Sequence, residues 1–326
     1  MSERYFLGLD IGGTNARAAL VELSCDATGG SRARILGEQK QRIREDRSPE
    51  RVSALVGEAL GECARQASVP LEQVQGIGMG VAGQLSADAR VVLNAPNLDW
   101  RRVEFASMVE QRCPGLPVKL ANDLAAIVWG ESQLGAGQGF AHLWAVYVGT
   151  GIGSGLVLDG RLYRGGGGKA GEVGHSKLVG GSGQCGCGQV GCLEALAGGK
   201  AIERRLAEDL AAGRAEGLQA FLGVGELLTA SHAERAHEAG VAYAEALWEE
   251  LSDALCSVLS AGLAILNPSA FLLGGGVLQG CPRLRSLLVE KLAARTVAVA
   301  WQDLELLSPK LGDDAGILGA AMLCAD

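Results

Sequence analysis

The sequence predicts an α/β protein made of two similar halves, each a sheet covered by helices. Short apolar runs alternate with stretches of helical periodicity. A strand, a glycine turn and a second strand open each half. Glycine, at 49 of 326 residues against only 8 prolines, gathers at the ends of the apolar runs. With 48% hydrophobic residues the chain can bury a sizeable core, which excludes disorder. The length favours two domains.

Residues 6–10 read as a buried strand, Gly12-Gly13-Thr14-Asn15 as a turn, and residues 18–21 as the returning strand. Ser48-Pro49 supplies an N-cap and a proline at the first helical position. Val52, Leu55, Val56, Ala59, Leu60 and Cys63 follow at spacings of three and four, the stripe of an amphipathic helix. Residues 74–81 form a strand that ends in Gly80-Val81-Ala82-Gly83, residues 118–121 another, and residues 123–134 a helix. The pattern then restarts. Residues 143–148 are an apolar strand, Gly149-Thr150-Gly151 a turn, and residues 156–158 a strand closed by Asp159-Gly160. Residues 196–266 are largely helical in pattern, and residues 270–273 run as a strand into Gly274-Gly275-Gly276. The cleft between two such halves is the expected place for a ligand.

Lys plus Arg is 29 and Asp plus Glu 37, a net charge of −8. That balance argues against a general nucleic-acid or anionic-membrane binder, since both partners call for a basic face. The apolar run after Met1 ends at Asp10, too short for a signal-peptide core or a membrane span. The longest later apolar stretch, 254–266, is broken by Ser257 and Ser260. A cytoplasmic protein is expected.

Removing the Cβ lets backbone N–H groups approach phosphate oxygens, so four glycine turns that each follow a strand suggest a phosphate-binding protein rather than plain hairpins. Two common nucleotide motifs fail. The run from Gly149 has Ser154 where a dinucleotide fingerprint needs its third glycine. The run Gly165 to Lys169 has Tyr163 and Ala170 where a P-loop needs Gly and Ser or Thr. Asp10, at the end of the first strand, is either a turn-capping carboxylate or one that holds Mg²⁺ against phosphates. Asn122-Asp123 reads equally as a helix N-cap or as the place of a general base that takes a proton from a hydroxyl attacking phosphorus.

Six cysteines, at 25, 63, 113, 256, 281 and 324, are scattered and read as small buried hydrophobes. Cys185, Cys187 and Cys192 are clustered among glycines, with His175 ten residues before Cys185. Three thiolates and one imidazole satisfy a closed, structural zinc site, and a metal would order a loop that has no core of its own. Reactive redox cysteines are the alternative, which the nearby His disfavours. Glu172 and Glu194 flank this knuckle, where zinc would set them toward a polyhydroxy ligand.

The segments LGLDIGGTN at 7–15, APNLDW at 95–100, ANDLAA at 121–126, GTGIGSGLVLDGRLYRG at 149–165, AGEVGH at 170–175, CGCGQVGCLEA at 185–195 and LGGGV at 273–277 resemble the ROK family of sugar kinases and repressors over nearly the whole chain. Within the family, the resemblance is strongest to bacterial glucokinases. It implies an actin/hexokinase-like (RNase H-like) duplicated two-domain α/β fold with a central cleft. Residues 1–121 would form a small domain, completed by a C-terminal helix at about 312–326, and residues 122–311 a large one with the knuckle at 175–192. It implies an enzyme that phosphorylates the 6-hydroxyl of glucose with ATP and Mg²⁺. Asp123 would be the catalytic base. Asn97, Asn122, Glu172, His175 and Glu194 would bind the sugar. His175, Cys185, Cys187 and Cys192 would hold structural Zn²⁺. Asp10, Gly12, Gly13, Thr14, Asn15, Thr150 and Gly151 would serve ATP phosphates and Mg²⁺, with Gly275 and Gly276 near the adenosine. Another hexose kinase, acting on N-acetylglucosamine, N-acetylmannosamine or fructose, and a non-catalytic sugar sensor are the alternatives. Family repressors carry a DNA-binding segment before the DIGGT-like strand, which here starts within a few residues of Met1, so no nucleic-acid partner is expected. A homodimer is. At Leu124-Ala125-Ala126 the chain departs from the family's usual residues, a change expected to touch helix packing.

Overall fold

The computed structural model describes residues 3–25, 30–223 and 225–325; Met1, Ser2 and Asp326, the end of the expected C-terminal segment, lie outside them. The chain begins with β1 (Arg4–Ile11), β2 (Asn15–Cys25), β3 (Ser31–Arg42) and α1 (Pro49–Ala67), followed by β4 (Val74–Val81). A small hairpin set, β5 (Gln84–Leu85), β6 (Val92–Ala95) and β7 (Trp100–Val103), leads to α2 (Phe105–Arg112), β8 (Val118–Asn122) and α3 (Asp123–Leu134). The second run holds β9 (Leu143–Val148), β10 (Ile152–Leu158), β11 (Arg161–Tyr163), α4 (Glu194–Ala197), α5 (Gly199–Ala211), α6 (Ala230–Glu238) and α7 (Ala242–Leu266). After these come β12 (Ala270–Gly274), α8 (Gly276–Gly280), α9 (Pro282–Arg295), α10 (Ala298–Gln302), β13 (Glu305–Leu307) and α11 (Ala315–Met322).

The first five-stranded sheet has the order β3-β2-β1-β4-β8 and the second β11-β10-β9-β12-β13. Each sets three consecutive strands at one side and two later ones at the other, so the two sheets repeat one topology. In the first, β1, β2 and β3 pair antiparallel while β4 and β8 join parallel. The duplication read from strand–turn–strand repeats is thus present in whole sheets.

Packing groups the chain into two compact units: Met1–Leu143, Gly155–Gly171 and Pro309–Asp326, and Trp144–Ser154 with Glu172–Ser308. This grouping carries α3 with the first sheet, whereas the sequence reading draws its limit after residue 121. We propose residues 1–121 and 122–311 as the limits of the small and large domains.

In the first unit the Ser48 hydroxyl accepts the Arg51 N–H at 3.3 Å, with Pro49 at the first helical position, and all six predicted apolar positions of α1 are buried. Truncating one of the leucines among them would cost about 2–5 kcal/mol. The helix α11 lies on the other elements through small residues. A Cβ at Gly8 or Gly78 would collide with the backbone carbonyls of Ile317 and Ala320, so glycine in β1 and β4 lets the helix settle directly onto the sheet. Ala126, the departure noted in the sequence, is fully buried and its carbonyl touches Gly319 of α11, as helix packing would have it. Glu131, with no exposure, accepts the N–H groups of Ala136, Lys310 and Leu311 at 2.8–2.9 Å, which offsets the cost of burying a carboxylate. In the second unit the buried face of α7 runs from Ala244 through Trp248, Leu255 and Leu263. Among the described residues no helix is long and apolar enough to cross a membrane.

Candidate functional site

The first unit brings its predicted residues to the C-terminal ends of parallel strands, the edge where α/β sheets receive ligands. Register sets the arrangement: Asp10 of β1 faces Gly80 of β4, and Gly80 faces Ala121 of β8, two residues before Asp123. Gly80 puts no side chain between the two acids. Burial, then the Asp123 charge, pushes the Asp10 carboxyl up to about 6, against a smaller opposing pull from Arg17. Burial also raises Asp123, although its Oδ1 accepts the Leu124 N–H at 2.9 Å. Two neighbouring carboxylates held against their own charge fit a divalent cation, which would remove the repulsion. Asn122 caps α3: Oδ1 accepts from Leu124 and Ala125, and one Nδ2 N–H donates to the Gly83 carbonyl at 3.1 Å.

Beside Asp10 the turn Gly12-Gly13-Thr14 closes with Gly12 N–H donating to the Asn15 carbonyl at 3.0 Å. Asn97 is exposed in the short turn Pro96–Leu98 and packs on this loop, where a Cβ at Gly13 would stand 2.8 Å from the Asn97 Cβ. The loop thus sits between Asp10 and Asn97.

In the second unit Gly149-Thr150-Gly151 joins β9 to β10, with the Thr150 side chain at the surface, and Gly275-Gly276 leads from β12 into α8. The knuckle has little regular structure beyond the short 3-10 turn Val173–His175 and the bridges Lys177–Cys192 and Gln184–Val190. Its donor atoms on His175, Cys185, Cys187 and Cys192 nevertheless lie within 4.8 Å of one another. His175 Nδ1 is 3.6 Å from Cys185 Sγ, and the Cys187 and Cys192 sulfurs are 3.7 Å apart. Donors at 2.0–2.3 Å from one tetrahedral ion stand about 3.5–3.8 Å from each other, so the set fits zinc. Burial pushes the Cys185 thiol up to about 12, while the Gln189 backbone N–H draws the Cys187 thiol down. A metal must displace the Cys185 proton to bind. His175 Nε2 is left toward Glu172 at 3.7 Å, and Glu194 reaches back with Oε1 3.7 Å from Cys185 Sγ.

Three contributors escape a sequence reading. Lys177 donates to Cys192 Sγ at 3.1 Å and to the Val190 carbonyl at 2.8 Å, placing a positive charge against a thiolate-rich cluster. Arg17 binds Asp314 at 2.6 Å and the Asp313 carbonyl at 2.8 Å, beside Asp10. Glu131 holds backbone nearly 180 positions away, a partnership no local pattern reveals. Only Lys177 had an available signal, a lone cation two residues past His175.

The ROK family matches residues 6–326. A glucokinase from Streptomyces coelicolor is 30% identical over 325 residues, 98% of this chain and 97% of that one. A crystal structure of a ROK family glucokinase from Streptomyces griseus in complex with glucose and AMPPNP is 31% identical, with a TM-score of 0.74 and 98% of each chain covered. The xylose repressor of Caldicellulosiruptor bescii is 29% identical over 293 residues, 90% of this chain and 73% of that one. The repeated sheets therefore have the actin/hexokinase-like fold, and this chain belongs to the ROK family.

Proposed function

We propose that this protein phosphorylates the 6-hydroxyl of glucose with ATP. The observation that carries the reading is the carboxylate pair Asp10 and Asp123 beside the glycine turn at residues 12–14. A module that only senses sugar has no use for two buried acids raised in pKa, whereas phosphoryl transfer needs a base and a cation holder. Asp123 is the base. Its place at the first turn of α3, fixed by the Asn122 cap and the Leu124 N–H, holds one carboxylate oxygen in a set direction. The free oxygen accepts the proton of the sugar hydroxyl as that oxygen attacks the terminal phosphorus. Asn97, Asn122, Glu172, His175 and Glu194 bind the sugar hydroxyls and orient the attacking one. Asn122 does so through the Nδ2 N–H that its cap and the Gly83 carbonyl do not use.

Gly12, Gly13, Thr14, Asn15, Thr150 and Gly151 bind the phosphates through backbone N–H and side-chain donors, and Gly275 and Gly276 lie toward the adenosine. Asp10 is the carboxylate suited to hold Mg²⁺, which would draw charge from the phosphates when bound. His175, Cys185, Cys187 and Cys192 are suited to hold zinc, which would order the knuckle and with it Glu172 and Glu194. The family relationship to glucokinases supports glucose as the acceptor, and the similarity to the S. griseus complex supports ATP.

A second reading, a sugar sensor without turnover, draws on the similarity to xylose repressors. A sugar panel tests both. With ATP and Mg²⁺, kcat/KM for glucose is expected to exceed that for N-acetylglucosamine, N-acetylmannosamine, mannose and fructose. Preference for an acetamido sugar would move the substrate assignment, and absence of turnover on every sugar would favour the sensor.

A further inference from the structure

The turn at residues 149–151 is clamped by one continuous segment of the second unit. Gly199 N–H donates to the Gly149 carbonyl at 2.8 Å, and Lys200 N–H to the Thr150 carbonyl at 3.0 Å. Ile152 N–H, on the far side of the turn, donates to Glu194 Oε2 at 2.9 Å. Both carbonyls and the closing N–H are thus held by residues 194–200, which leave the knuckle directly after Cys192. The Glu194 carboxylate presses so closely on the turn that a Cβ at Gly151 would collide with Oε2. Its other oxygen, Oε1, points at Cys185 Sγ, 3.7 Å away. A single half-buried carboxylate therefore lies between the glycine turn and the metal-type cluster.

A charge-assisted hydrogen bond from a backbone amide is among the stronger local restraints, and it fixes the peptide next to Gly151. The two carbonyl bonds fix the peptides before it. A turn held at three points offers its remaining donors, the exposed Thr150 hydroxyl among them, in one arrangement before any ligand arrives, which lowers the ordering cost of binding.

We propose that Glu194 is a positioning residue for the turn at residues 149–151, in addition to any contact with sugar: its carboxylate sets the turn in the form that receives nucleotide phosphate. This rests on the reading above that the turn binds phosphate. It also explains glycine at 151, since a methyl group there would push the carboxylate off the Ile152 N–H.

The role separates from sugar binding in an experiment without sugar. Binding of AMPPNP with Mg²⁺ is measured by calorimetry on the zinc-loaded wild type, Glu194→Gln, Glu194→Ala, Gly151→Ala and the double variant. Glu194→Ala is expected to weaken the analogue about tenfold, from loss of a charged hydrogen bond. Glu194→Gln, whose amide oxygen still accepts from Ile152, should stay within about twofold. Gly151→Ala should weaken binding, and the double variant should be no worse than the poorer single one, because both changes break the same bond. Amide exchange at Ile152 is the second readout: Glu194→Ala and Gly151→Ala should speed it while zinc content stays unchanged. Undiminished AMPPNP binding by Glu194→Ala, or strictly additive losses in the double variant, would overturn the proposal. Unchanged Ile152 exchange in whichever variant folds would do the same. If the wild type bound no AMPPNP, the phosphate reading would fall with the nucleotide part of the proposal, and exchange at Ile152 would still report whether the clamp exists.

Discussion

The acid pair of the first unit and the knuckle of the second are both held in set arrangements, but by different means. Asp10 and Asp123 stand on regular elements, the end of β1 and the first residue of α3, and strand register sets them side by side. Their position is determined by a core that has no need of them, and their charges oppose it. The knuckle donors have no such scaffold. Cys185 and Cys192 are buried, Cys187 is exposed, and glycines separate them, so their convergence depends on local bonds and on a metal. A site built on a sheet can carry electrostatic strain, because the sheet supplies the stability. A site built on a loop has to be stable in itself.

The largest effect expected from this contrast is chemical. Asp123→Asn keeps the size and the α3 start, so the protein should fold and bind sugar nearly as before, while kcat falls about 10³-fold for loss of the base. Steady-state kinetics with glucose decides it, and near-normal turnover would remove Asp123 from the mechanism. The matching change in the knuckle is Cys187→Ser. Zinc content should drop from about one per chain toward zero, and glucose affinity should fall at least about tenfold, since removal of one thiolate opens a closed site. Full loss of zinc with unchanged glucose affinity would break the link between knuckle and sugar.

Much of this contrast is legible in the sequence, and the rest is hidden for physical reasons. Ser48-Pro49 and the apolar stripe of α1 announce themselves because cap and periodicity are local, and the start of α3 at Asp123 follows from the same logic. The knuckle is legible because few chemistries need three cysteines and a histidine so close together. By contrast β3, a long edge strand with charged residues along it, shows almost no buried position and so no apolar alternation. Among its residues only Gly37 is fully buried. Glu131 looks like an ordinary helix acid, and Glu194, legible as a sugar ligand beside the knuckle, gives no local sign of its bond to the glycine turn. Their roles arise from backbone amides at residues 310–311 and 152, which sequence spacing does not relate to them. The closeness of Asp10 to Asp123 likewise depends on register across β4.

Stability against pH sharpens the comparison further. The folded Asp10 carboxyl titrates at about 6, above its ordinary range, so the folded state holds that proton more tightly than the unfolded one. Its contribution is therefore full below the ordinary carboxylate pKa and is lost as pH rises through about 6. Asp10→Asn should stabilise the Mg²⁺-free protein on the order of 2 kcal/mol at pH 8 and much less at pH 4. Thermal unfolding at the two pH values tests this, and an equal effect at both would show that the charge is not what strains the site. The expected difference between the two pH values would mean that the acids of the first unit are held at a cost in stability, whereas no knuckle donor could be neutralised with profit.

The smallest effect concerns Lys177. Three thiolates, a neutral imidazole and a dication leave one negative charge, which the Lys177 ammonium at 3.1 Å from Cys192 Sγ offsets. Lys177→Met should weaken zinc about tenfold in competition with a chromophoric chelator, in the range typical of lost outer contacts to a metal ligand. Lys177→Arg should retain most of the affinity. An unchanged zinc affinity in the Met variant would make the contact incidental.

The central claim is that the acid pair belongs to a working sugar kinase, and one coupled assay addresses it most directly. ADP release is followed with ATP and Mg²⁺, first without sugar and then with glucose, for the wild type and for Asp123→Asn. Glucose-dependent release by the wild type, with glucose 6-phosphate as product and a loss of about 10³-fold in the variant, is the expected result. Release that does not depend on glucose, or glucose-dependent release that survives Asp123→Asn, would contradict it.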